Sequence, residues 1–465
     1  MVDRWDVAAA AGAVTLVALA ALVGGLLYLN DRPVQASAAP FYAHWLPHVG
    51  PGTPLVLMVA GLIVWRGFVV AERLSWRALR LTAYVVAVTW TLSLAMVDGW
   101  QRGLAGRLTT GPEYLDEVPG VTDVSVMIRG FTGRILDFQP DSWTTHVAGH
   151  PPGALLIFVW LERAGLGGGG WAALACILVG SLATVAVPET VRLLSVSGEA
   201  AARAVVPFAV VFPGAVWIGA SADGLFAGIT AVGVMLLARK RVLAAVAGGA
   251  LVTFGIYLSY GLVLLAPLVL VALLATRRTA RSTDTDRNAE SVGVTGRALK
   301  PATLGVVMGS ALIGGVAVAG SFSAAGFWWP DGYHLVVERY YQGLASVRPY
   351  GYWVWANIAA LVACAGPMTA VILRRATVRR GAEAVGSPER PAWDVTRLLP
   401  LAAAVAIVAA DVSGLSKAET ERIWLPFAVW FAAGAALLPV PSRRAWLVVQ
   451  AGTAILVNHL LLTSW

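Results

Sequence analysis

The sequence predicts an all-α protein that crosses a membrane many times. Hydrophobic residues make up 58% of its 465 residues and charged residues only 13%, whereas a soluble domain carries about 25% charged residues. Mean hydropathy is +0.72, and the apolar residues fall into long runs separated by short polar or basic segments. We therefore expect one transmembrane domain over residues 1–465, a bundle of about 13 helices with a large external loop.

Each membrane-crossing helix needs about 17 to 25 mostly apolar residues. The first run lacks a small-residue cleavage site, so we expect it to be retained rather than removed as a signal peptide. The stretch 242–276 is too long for one crossing and is divided at 257–261. The predicted spans are 8–29, 54–71, 80–97, 171–193, 203–220, 222–238, 242–258, 260–276, 302–320, 352–373, 398–412, 423–439 and 445–462.

Basic residues between the runs orient the bundle, because short cytoplasmic loops are enriched in Lys and Arg. Placing them inside puts the N-terminus in the cytoplasm and leaves 98–153, 321–351 and 411–422 outside. The same rule explains the formal charge of +8 without nucleic acid as a partner. The orienting residues are Arg73, Arg77, Arg80, Arg192, Arg203, Arg239, Lys240, Arg241, Arg277, Arg278, Arg374, Arg375, Arg379, Arg380, Arg443 and Arg444.

Three segments depart from the pattern of full crossings. Residues 153–165 are apolar but would span only about 20 Å as a helix, so we expect a slanted half-helix that re-enters from the outer side. Residues 279–300 and 376–394 are polar, rich in small residues and of mixed charge, which predicts flexible cytoplasmic loops. Cys176 and Cys364 both lie in apolar runs, which argues against a disulfide framework and a thiolate metal site.

The external segment 98–153 is the first candidate for chemistry, because it gathers carboxylates at the membrane surface. Asp98 ends the third predicted span where lipid meets water; an ordinary interfacial residue is the alternative. Glu113, Asp116 and Glu117 lie within five residues of one another. Their repulsion is relieved if one carboxyl takes up a proton as a general base or if a divalent cation, Mg²⁺ or Mn²⁺, binds. A solvated acidic loop is the alternative.

Two further features follow in the same segment. Asp123 precedes a stretch, 124–136, that suits a short interfacial helix with Asp123 as its N-cap. His146 and His150 have the four-residue spacing of a helical zinc site, but a glycine and two prolines interrupt any helix there. Because proline suits the first turn of a helix, we expect a helix to begin here and His150 to face a phosphate at the outer mouth.

Ionisable residues also occur near the outer ends of later spans. Asp223 is a functional candidate because an acidic residue in a span is costly; a helix N-cap is the alternative. Lys417 and Arg422 are external cations, against the prevailing charge bias, and suit a lipid phosphate. In the alternative interpretation Glu419 and Glu421 simply neutralise them. Aromatic residues in 321–351 suit either a sugar ring or the membrane interface.

Together these motifs resemble the GT-C superfamily of membrane glycosyltransferases. The likeness is strongest to its protein O-mannosyltransferase and aminoarabinose-transferase branch and to actinobacterial cell-envelope relatives, and it covers residues 80–430. It is carried by an acidic pair in the first large external loop, an interfacial helix and a His-Pro-Pro-Gly motif that opens the next helix. These are Asp116-Glu117, 124–136 and 150–153 here.

Two later motifs extend the resemblance. Residues 221–223 are similar to the acidic start of a later helix, and 421–426 to the charged loop before a late helix. The family's acidic pair follows the first span directly, whereas two further spans precede it here, so Asp98 competes with Asp116 for the role of base. We expect no large soluble C-terminal domain.

The resemblance implies transfer of a sugar from a polyprenyl-phosphate donor to a glycan or protein hydroxyl, on the outer face of the cytoplasmic membrane, with no certain cofactor. One carboxylate would deprotonate the acceptor as it attacks the anomeric carbon with inversion, while cations stabilise the departing lipid phosphate. The implied base candidates are Asp98, Asp116 and Glu117. The implied phosphate-binding candidates are His150, Lys417, Arg422 and Arg348. The candidates for substrate contact are Glu113, Tyr114, Asp123, His146, Asp223, Tyr260, Trp328, Trp329, Tyr333 and His334.

A lipid or polysaccharide transporter is the competing class. Asp223 and the apolar runs broken by Gly or Pro would then mark a site at the membrane midplane. Against this, the acidic residues concentrate in external loops, and no matched pair of interrupted helices occurs in the two halves. A non-catalytic assembly subunit is a third interpretation, in which no single carboxylate is essential.

Overall fold

The expectation of an all-α polytopic membrane protein is confirmed by a computed structural model, in which nearly all regular structure is helical. The structure describes residues 3–219, 221–275, 302–378 and 393–463. The predicted flexible loop 279–300 and most of 376–394 lie outside these residues. The larger helices are α1 Arg4–Leu29, α2 Thr53–Arg73, α3 Trp76–Ala95, α4 Val124–Gly130, α5 Thr145–Ala148, α6 Pro152–Arg163, α7 Gly169–Gly180, α8 Ala183–Leu194, α9 Gly198–Val210, α10 Ala215–Ile218, α11 Ala222–Leu237, α12 Val242–Ile256, α13 Tyr260–Ala275, α14 Leu304–Ala324, α15 Trp329–Gln342, α16 Tyr350–Ala365, α17 Met368–Thr377, α18 Val395–Val412, α19 Thr420–Ile423, α20 Leu425–Ala428 and α21 Val440–Leu460.

Single turns and one short sheet complete the fold. β1 (Ala43–Trp45) pairs antiparallel with β2 (Leu461–Thr463), which brings the loop after α1 beside the end of α21. The remaining turns are Gln101–Ala105, Arg107–Thr109, Tyr114–Asp116, Val118–Gly120, Phe131–Arg134, Leu344–Ser346, the first six residues of α13 and Val429–Leu437, which continues α20.

By length and composition, six helices of the described part can cross a membrane, or seven if one bent pair forms a single span. α7 and α8 count as one of the six, over Gly169–Leu194. Four shorter apolar helices, α11 to α13 and Leu425–Leu437, accompany them. The thirteen predicted runs all contain helix, but several are too short or too broken for a simple crossing. The predicted division of 242–276 is confirmed, since α12 ends at Ile256.

Two predicted spans are interrupted. The run 352–373 is two helices, α16 and α17, which meet at an angle of 104°. Gly366 makes this corner with a φ of 81°, a conformation that favours glycine. The run 203–220 ends its main helix at Val210, and the short α10 follows. Hydrophobicity alone did not distinguish these corners from continuous helix.

Loops of the predicted cytoplasmic side meet around one carboxylate. Glu189 in α8 accepts hydrogen bonds from Arg192, at 2.8 and 3.0 Å, and from the Trp76 indole at 2.6 Å. Arg80 and Arg239 lie 3.9 and 3.7 Å from the same carboxylate. These basic residues come from three different predicted cytoplasmic loops, so their contact supports placing those loops at one end of the bundle.

The three predicted external segments also contact one another. The backbone N–H of Asp137 donates to the Gln342 side chain at 2.8 Å, which joins 98–153 to 321–351. The Tyr340 hydroxyl accepts from the Lys417 N–H at 2.8 Å, which joins 321–351 to 411–422. The structure therefore gathers these segments at the other end of the bundle, where the candidate site residues lie.

Candidate functional site

A buried ionic network is centred on Arg422, just before the apolar helix Leu425–Leu437. Its members come from segments far apart in the sequence, and all are buried except the partly buried Glu419. We name it the Arg422 network and define it as Glu113, His146, Asp223, Arg348, Glu419 and Arg422.

The Arg422 guanidinium makes three contacts. It donates to Asp223 Oδ2 at 2.7 Å and to Glu419 Oε2 at 2.6 Å. Its Nη2 lies 3.1 Å from His146 Nε2. Because a guanidinium only donates, this His146 nitrogen is the acceptor and carries no proton. The ring proton is then on Nδ1, which faces Glu113 Oε1 at 3.0 Å.

His146 thus contacts Arg422 through one ring nitrogen and Glu113 through the other. That leaves no nitrogen for the zinc site considered from the sequence, and the break between α5 and α6 separates His146 from His150. Among the described residues, no group of three or more His, Cys, Asp or Glu side chains is arranged to hold a metal ion.

Local structure explains how two of these residues are held. Ser221, rather than Asp223, is the N-cap of α11: its hydroxyl accepts from the Asp223 N–H at 3.0 Å and donates to Asp223 Oδ2 at 2.7 Å. The N-cap alternative for Asp223 was thus wrong, which leaves its carboxylate to pair with Arg422. Glu419 has a φ of 62°, and this left-handed turn starts α19 so that Glu419 and Arg422 pair three residues apart.

Arg348 is the second cation of the network. Its Nη1 donates to the Lys417 carbonyl at 2.7 Å and to Glu419 Oε1 at 3.1 Å. Its guanidinium lies over the Tyr42 ring at 5.1 Å, while Nε and Nη2 have no hydrogen-bond partner among the described residues. Lys417 donates through Nζ to the Ala345 carbonyl at 2.9 Å. Arg348 is therefore a cation of the network with buried N–H groups that can still bind a ligand.

The electrostatics of the network follow from burial and pairing. Burial disfavours the charge on Arg422, but the carboxylates of Asp223, Glu419 and Glu113 raise its pKa above the usual value. Burial alone would raise the pKa of Glu419, but Arg422 and Arg348 hold it below its ordinary range. Both groups therefore remain charged in the folded protein.

Glu421 behaves differently although it is the neighbour of Arg422. Burial raises the pKa of Glu421 from 4.5 to about 7. Its Oε1 accepts from the Tyr42 N–H at 2.9 Å, whereas Oε2 has no partner among the described residues. From its sequence context Glu421 is expected only to neutralise the nearby cations, and nothing in its spacing signals a carboxyl that titrates near neutral pH.

Tyr114 packs the two histidines together. Its ring centroid lies 6.1 Å from that of His146 and 5.8 Å from that of His150. His150 Nδ1 donates to the His146 carbonyl at 2.8 Å, and burial lowers the pKa of His150 to about 4. His150 is thus neutral near pH 7 and offers no positive charge to a phosphate. The predicted start of a helix at the prolines is confirmed, because α6 begins at Pro152.

The three clustered carboxylates have three different surroundings. Glu113 is buried in the network, whereas Asp116 is exposed and forms no ion pair among the described residues. Glu117 accepts from the Thr144 N–H at 2.9 Å and pairs with Arg134 at 3.3 Å, so it holds the loop in place. The 3₁₀ turn Tyr114–Asp116 contains Asp116 and lies between Glu113 and Glu117.

Asp123 takes the predicted N-cap position of α4. Its side chain accepts from the N–H groups of Ser125 and Val126 at 2.7 and 3.3 Å. The helix ends at Gly130, before the predicted limit of 136. The N-cap prediction is confirmed, and these contacts give Asp123 a structural role.

Asp98 belongs to a different group of charges. Its carboxylate lies 3.0 Å from His48 Nε2, 3.2 Å from Arg102 Nε and 3.6 Å from Arg107 Nη2. We name these four residues the Asp98 cluster. Asp98 and Asp116, the two leading base candidates, are therefore held in distinct surroundings. His48, Arg102 and Arg107 were not singled out from the sequence, where no motif joins them.

The predicted aromatic contacts gather near the start of α15. Trp329 and Tyr333 stack with ring centroids 5.5 Å apart, and Tyr260 lies 5.4 Å from Trp329. The Trp329 indole donates to the Ile256 carbonyl at 3.1 Å. Trp328 and His334 are exposed. The rings of Tyr260, Trp329 and Tyr333 stabilise the junction of α13 with α15, whereas Trp328 and His334 lie on the surface.

No protein-family model matches the chain, and no curated protein sequence matches it. Among solved structures it is similar to the crystal structure of ArnT from Cupriavidus metallidurans bound to undecaprenyl phosphate, with 17% sequence identity and a TM-score of 0.40. The match covers 76% of this chain and 59% of that chain, so this chain corresponds to less than two thirds of that protein's length. A likeness at this level carries no argument about function, which is therefore argued from the residues of this chain.

Proposed function

We propose that this protein is a membrane glycosyltransferase that moves a sugar from a polyprenyl-phosphate donor to an acceptor hydroxyl at the outer membrane surface. One observation carries the proposal: Asp223 and Arg422, which belong to two of the motifs that resemble the GT-C superfamily, meet in the Arg422 network beside His146, four residues before the His-Pro-Pro-Gly motif. Buried ionic groups are costly to desolvate and are weak devices for stability alone. Their convergence therefore favours a functional role.

The position of the network suits a lipid-linked substrate. Asp223 is the second residue of α11, Arg348 precedes α16 by two residues, and Arg422 precedes Leu425–Leu437 by three. Three apolar helices thus begin beside the network, which puts it at the level where hydrocarbon meets water. A polyprenyl phosphate would keep its tail in the hydrocarbon and its phosphate at this depth.

We place the general base at Asp116, with Asp98 as the second candidate. The exposed Asp116 carboxylate has free lone pairs to take a proton from the acceptor hydroxyl. That oxygen then bonds to the anomeric carbon, while the bond from this carbon to the donor phosphate oxygen breaks and its electron pair leaves with the phosphate. Glu117 is less suited to be the base, because Arg134 and Thr144 already occupy its oxygens.

The departing phosphate needs cations rather than a strong acid, because a lipid phosphate is already a good leaving group. Arg348 suits this role best, since its Nε and Nη2 remain unpaired among the described residues. Arg422 is engaged by two carboxylates and orients the site. Lys417 would add charge if its bond to the Ala345 carbonyl were exchanged for the phosphate.

The proposal is tested with purified protein in vesicles supplied with a panel of labelled polyprenyl-phosphate sugars. Loss of a general base costs about 100-fold or more in turnover, so Asp116→Asn is expected to lose that much and Arg348→Gln to lose turnover as well. Asp98→Asn tests the second base candidate. Asp141→Asn, an exposed carboxylate of the same loop, serves as the control that keeps full activity.

The competing transporter function is tested in the same vesicles. If the wild type moves a labelled polyprenyl lipid across the bilayer and transfers no sugar from any donor, the glycosyltransferase proposal is rejected. If the wild type transfers sugar and both carboxylate variants keep full turnover, the proposed base assignment is rejected.

A further inference from the structure

The Asp98 cluster contains more positive than negative charge. Arg102 and Arg107 are permanently charged and both contact Asp98. His48 Nδ1 lies 2.7 Å from the Leu46 carbonyl, and its Nε2 lies 3.0 Å from the Asp98 carboxylate. In this arrangement two guanidinium groups and one imidazole face one carboxylate. Within the described residues, Asp98 is the carboxylate that pairs with each of them.

The two arginines also have donors to spare. Arg107 has a side chain only 10% exposed, and its Nε–H has no hydrogen-bond partner among the described residues. Arg102 contacts Asp98 through Nε, and its side chain is 49% exposed, so its terminal nitrogens are open to a ligand. Burial lowers the pKa of Arg107, and the nearby Asp98 carboxylate offsets part of this effect.

The cluster is built by the ends of three helices. Asp98 follows the end of α3 by three residues, and the N–H of His48, five residues before α2, donates to the carbonyl of His459 near the end of α21 at 2.8 Å. Gly52 allows this assembly, because its N–H donates to the Met96 carbonyl at 3.0 Å and a Cβ there would lie 2.0 Å from the Ser93 carbonyl.

The depth of the cluster in the membrane indicates which ligand it can bind. α2 and α3 are both long and apolar enough to span a membrane, so residues directly beyond their ends lie at the level of the lipid headgroups. The anion present there at high density is the phosphate of a lipid. Guanidinium groups bind phosphate with paired, charge-assisted hydrogen bonds.

We propose that the Asp98 cluster is a phosphate-binding site at headgroup level, with Arg102 and Arg107 as donors and Asp98 as the counter-ion that holds the cluster together. The site is separate from the Arg422 network, in which three carboxylates face two guanidinium groups, and its binding of phosphate does not depend on whether sugar transfer occurs.

The test measures binding, not transfer. Full-length protein purified in detergent is incubated with phosphatidylglycerol, with undecaprenyl phosphate or with inorganic phosphate, and bound ligand is counted by native mass spectrometry. We expect Arg107→Gln to weaken lipid retention by about tenfold, the usual contribution of one charge-assisted contact. Arg107→Lys, which keeps the charge, is expected to retain an intermediate amount.

Arg339→Gln is the matched control, because Arg339 is 11% exposed and pairs with a single carboxylate, Asp137, at the same end of the molecule. It is expected to retain lipid like the wild type. If Arg107→Gln fails to fold, the more exposed Arg102→Gln replaces it.

Each outcome decides the proposal. Retention of a phospholipid that inorganic phosphate displaces supports a site for the phosphate group itself. If the protein retains lipid and inorganic phosphate does not displace it, the result supports a site that binds phosphate only as part of a lipid. Equal retention by wild type and both arginine variants, or equal loss in Arg339→Gln, overturns the proposal.

Discussion

At the scale of single residues, pairing determines what each charge can do. Arg422 is shared by two carboxylates and the unprotonated nitrogen of His146. Removing one partner of a buried pair leaves an uncompensated charge, which costs about 3–5 kcal/mol. The network therefore couples its members energetically, and this coupling can be measured.

A double-mutant cycle of Arg422→Gln and Asp223→Asn tests this coupling. We expect each single variant to lower the free energy of unfolding strongly and the double variant to lose less than the sum, with a coupling of about 1–3 kcal/mol. The control cycle is Arg203→Gln with Glu199→Gln, a more exposed pair on the other end of the bundle, for which at most about 1 kcal/mol is expected. Additive losses at Arg422 and Asp223 would contradict the coupling.

The raised pKa of Glu421 predicts that the stability of the folded protein depends on pH. Because its folded-state pKa is raised from 4.5 to about 7, the folded protein binds more protons than the unfolded chain between these values. Its contribution to stability is therefore greatest at low pH and is lost as the pH rises through this window, on the order of 1–3 kcal/mol in total.

Glu421→Gln removes this titration. Melting temperatures measured from about pH 5 to about pH 8 should fall less steeply for Glu421→Gln than for the wild type. Glu338→Gln, an exposed glutamate, should reproduce the wild-type profile. Parallel profiles for wild type and Glu421→Gln would exclude the shift.

The sequence identified the acidic loop but could not identify which carboxylate turns inward. Glu113 precedes one 3₁₀ turn and Asp116 is its last residue, and residues along such a turn carry side chains in different directions. The amino-acid composition of the loop is the same whichever carboxylate is buried, so composition cannot identify the buried one. The partners of Asp98 were equally hidden, because His48 and Arg107 reach it from segments that are adjacent only in the folded chain.

At the scale of helices, local signals predicted starts better than ends. Pro152 starts α6 and Asp123 caps α4, as expected from proline and N-cap preferences. The corner between α16 and α17 was missed, because Gly366 lies in an apolar run and glycine is also common inside membrane helices.

Gly366→Ala is expected to destabilise this corner. Its φ of 81° favours glycine, and a Cβ would lie 1.7 Å from Gln450 Oε1. The backbone cost alone is about 1–3 kcal/mol, so the melting temperature in detergent should fall. Gly452→Ala is the matched control in α21, since its Cβ would meet open space. An unchanged melting temperature in Gly366→Ala would show that the corner can relax.

At the scale of the whole molecule, the distribution of basic residues predicted which loops lie together. The predicted external segments contact one another, and the predicted cytoplasmic arginines meet at Glu189. Helix counting was less successful, because apolar runs do not reveal bends or short helices that need the rest of the bundle for support.

Sidedness can be measured with two single-cysteine variants. Phe138 and Val196 are 83% and 82% exposed, at opposite predicted sides of the membrane, while the native cysteines are buried. We expect a membrane-impermeant maleimide to label Phe138→Cys in intact cells and Val196→Cys only after permeabilisation. The opposite pattern would invert the topology and move the Arg422 network to the cytoplasmic side.

The most direct test of the central claim is the fate of the donor lipid. Wild-type protein in vesicles, given a labelled polyprenyl-phosphate sugar and an acceptor, is predicted to release free polyprenyl phosphate in the same amount as glycosylated acceptor forms, and Arg348→Gln is predicted to slow both together. Labelled sugar that remains on its lipid while that lipid changes leaflet would contradict glycosyl transfer.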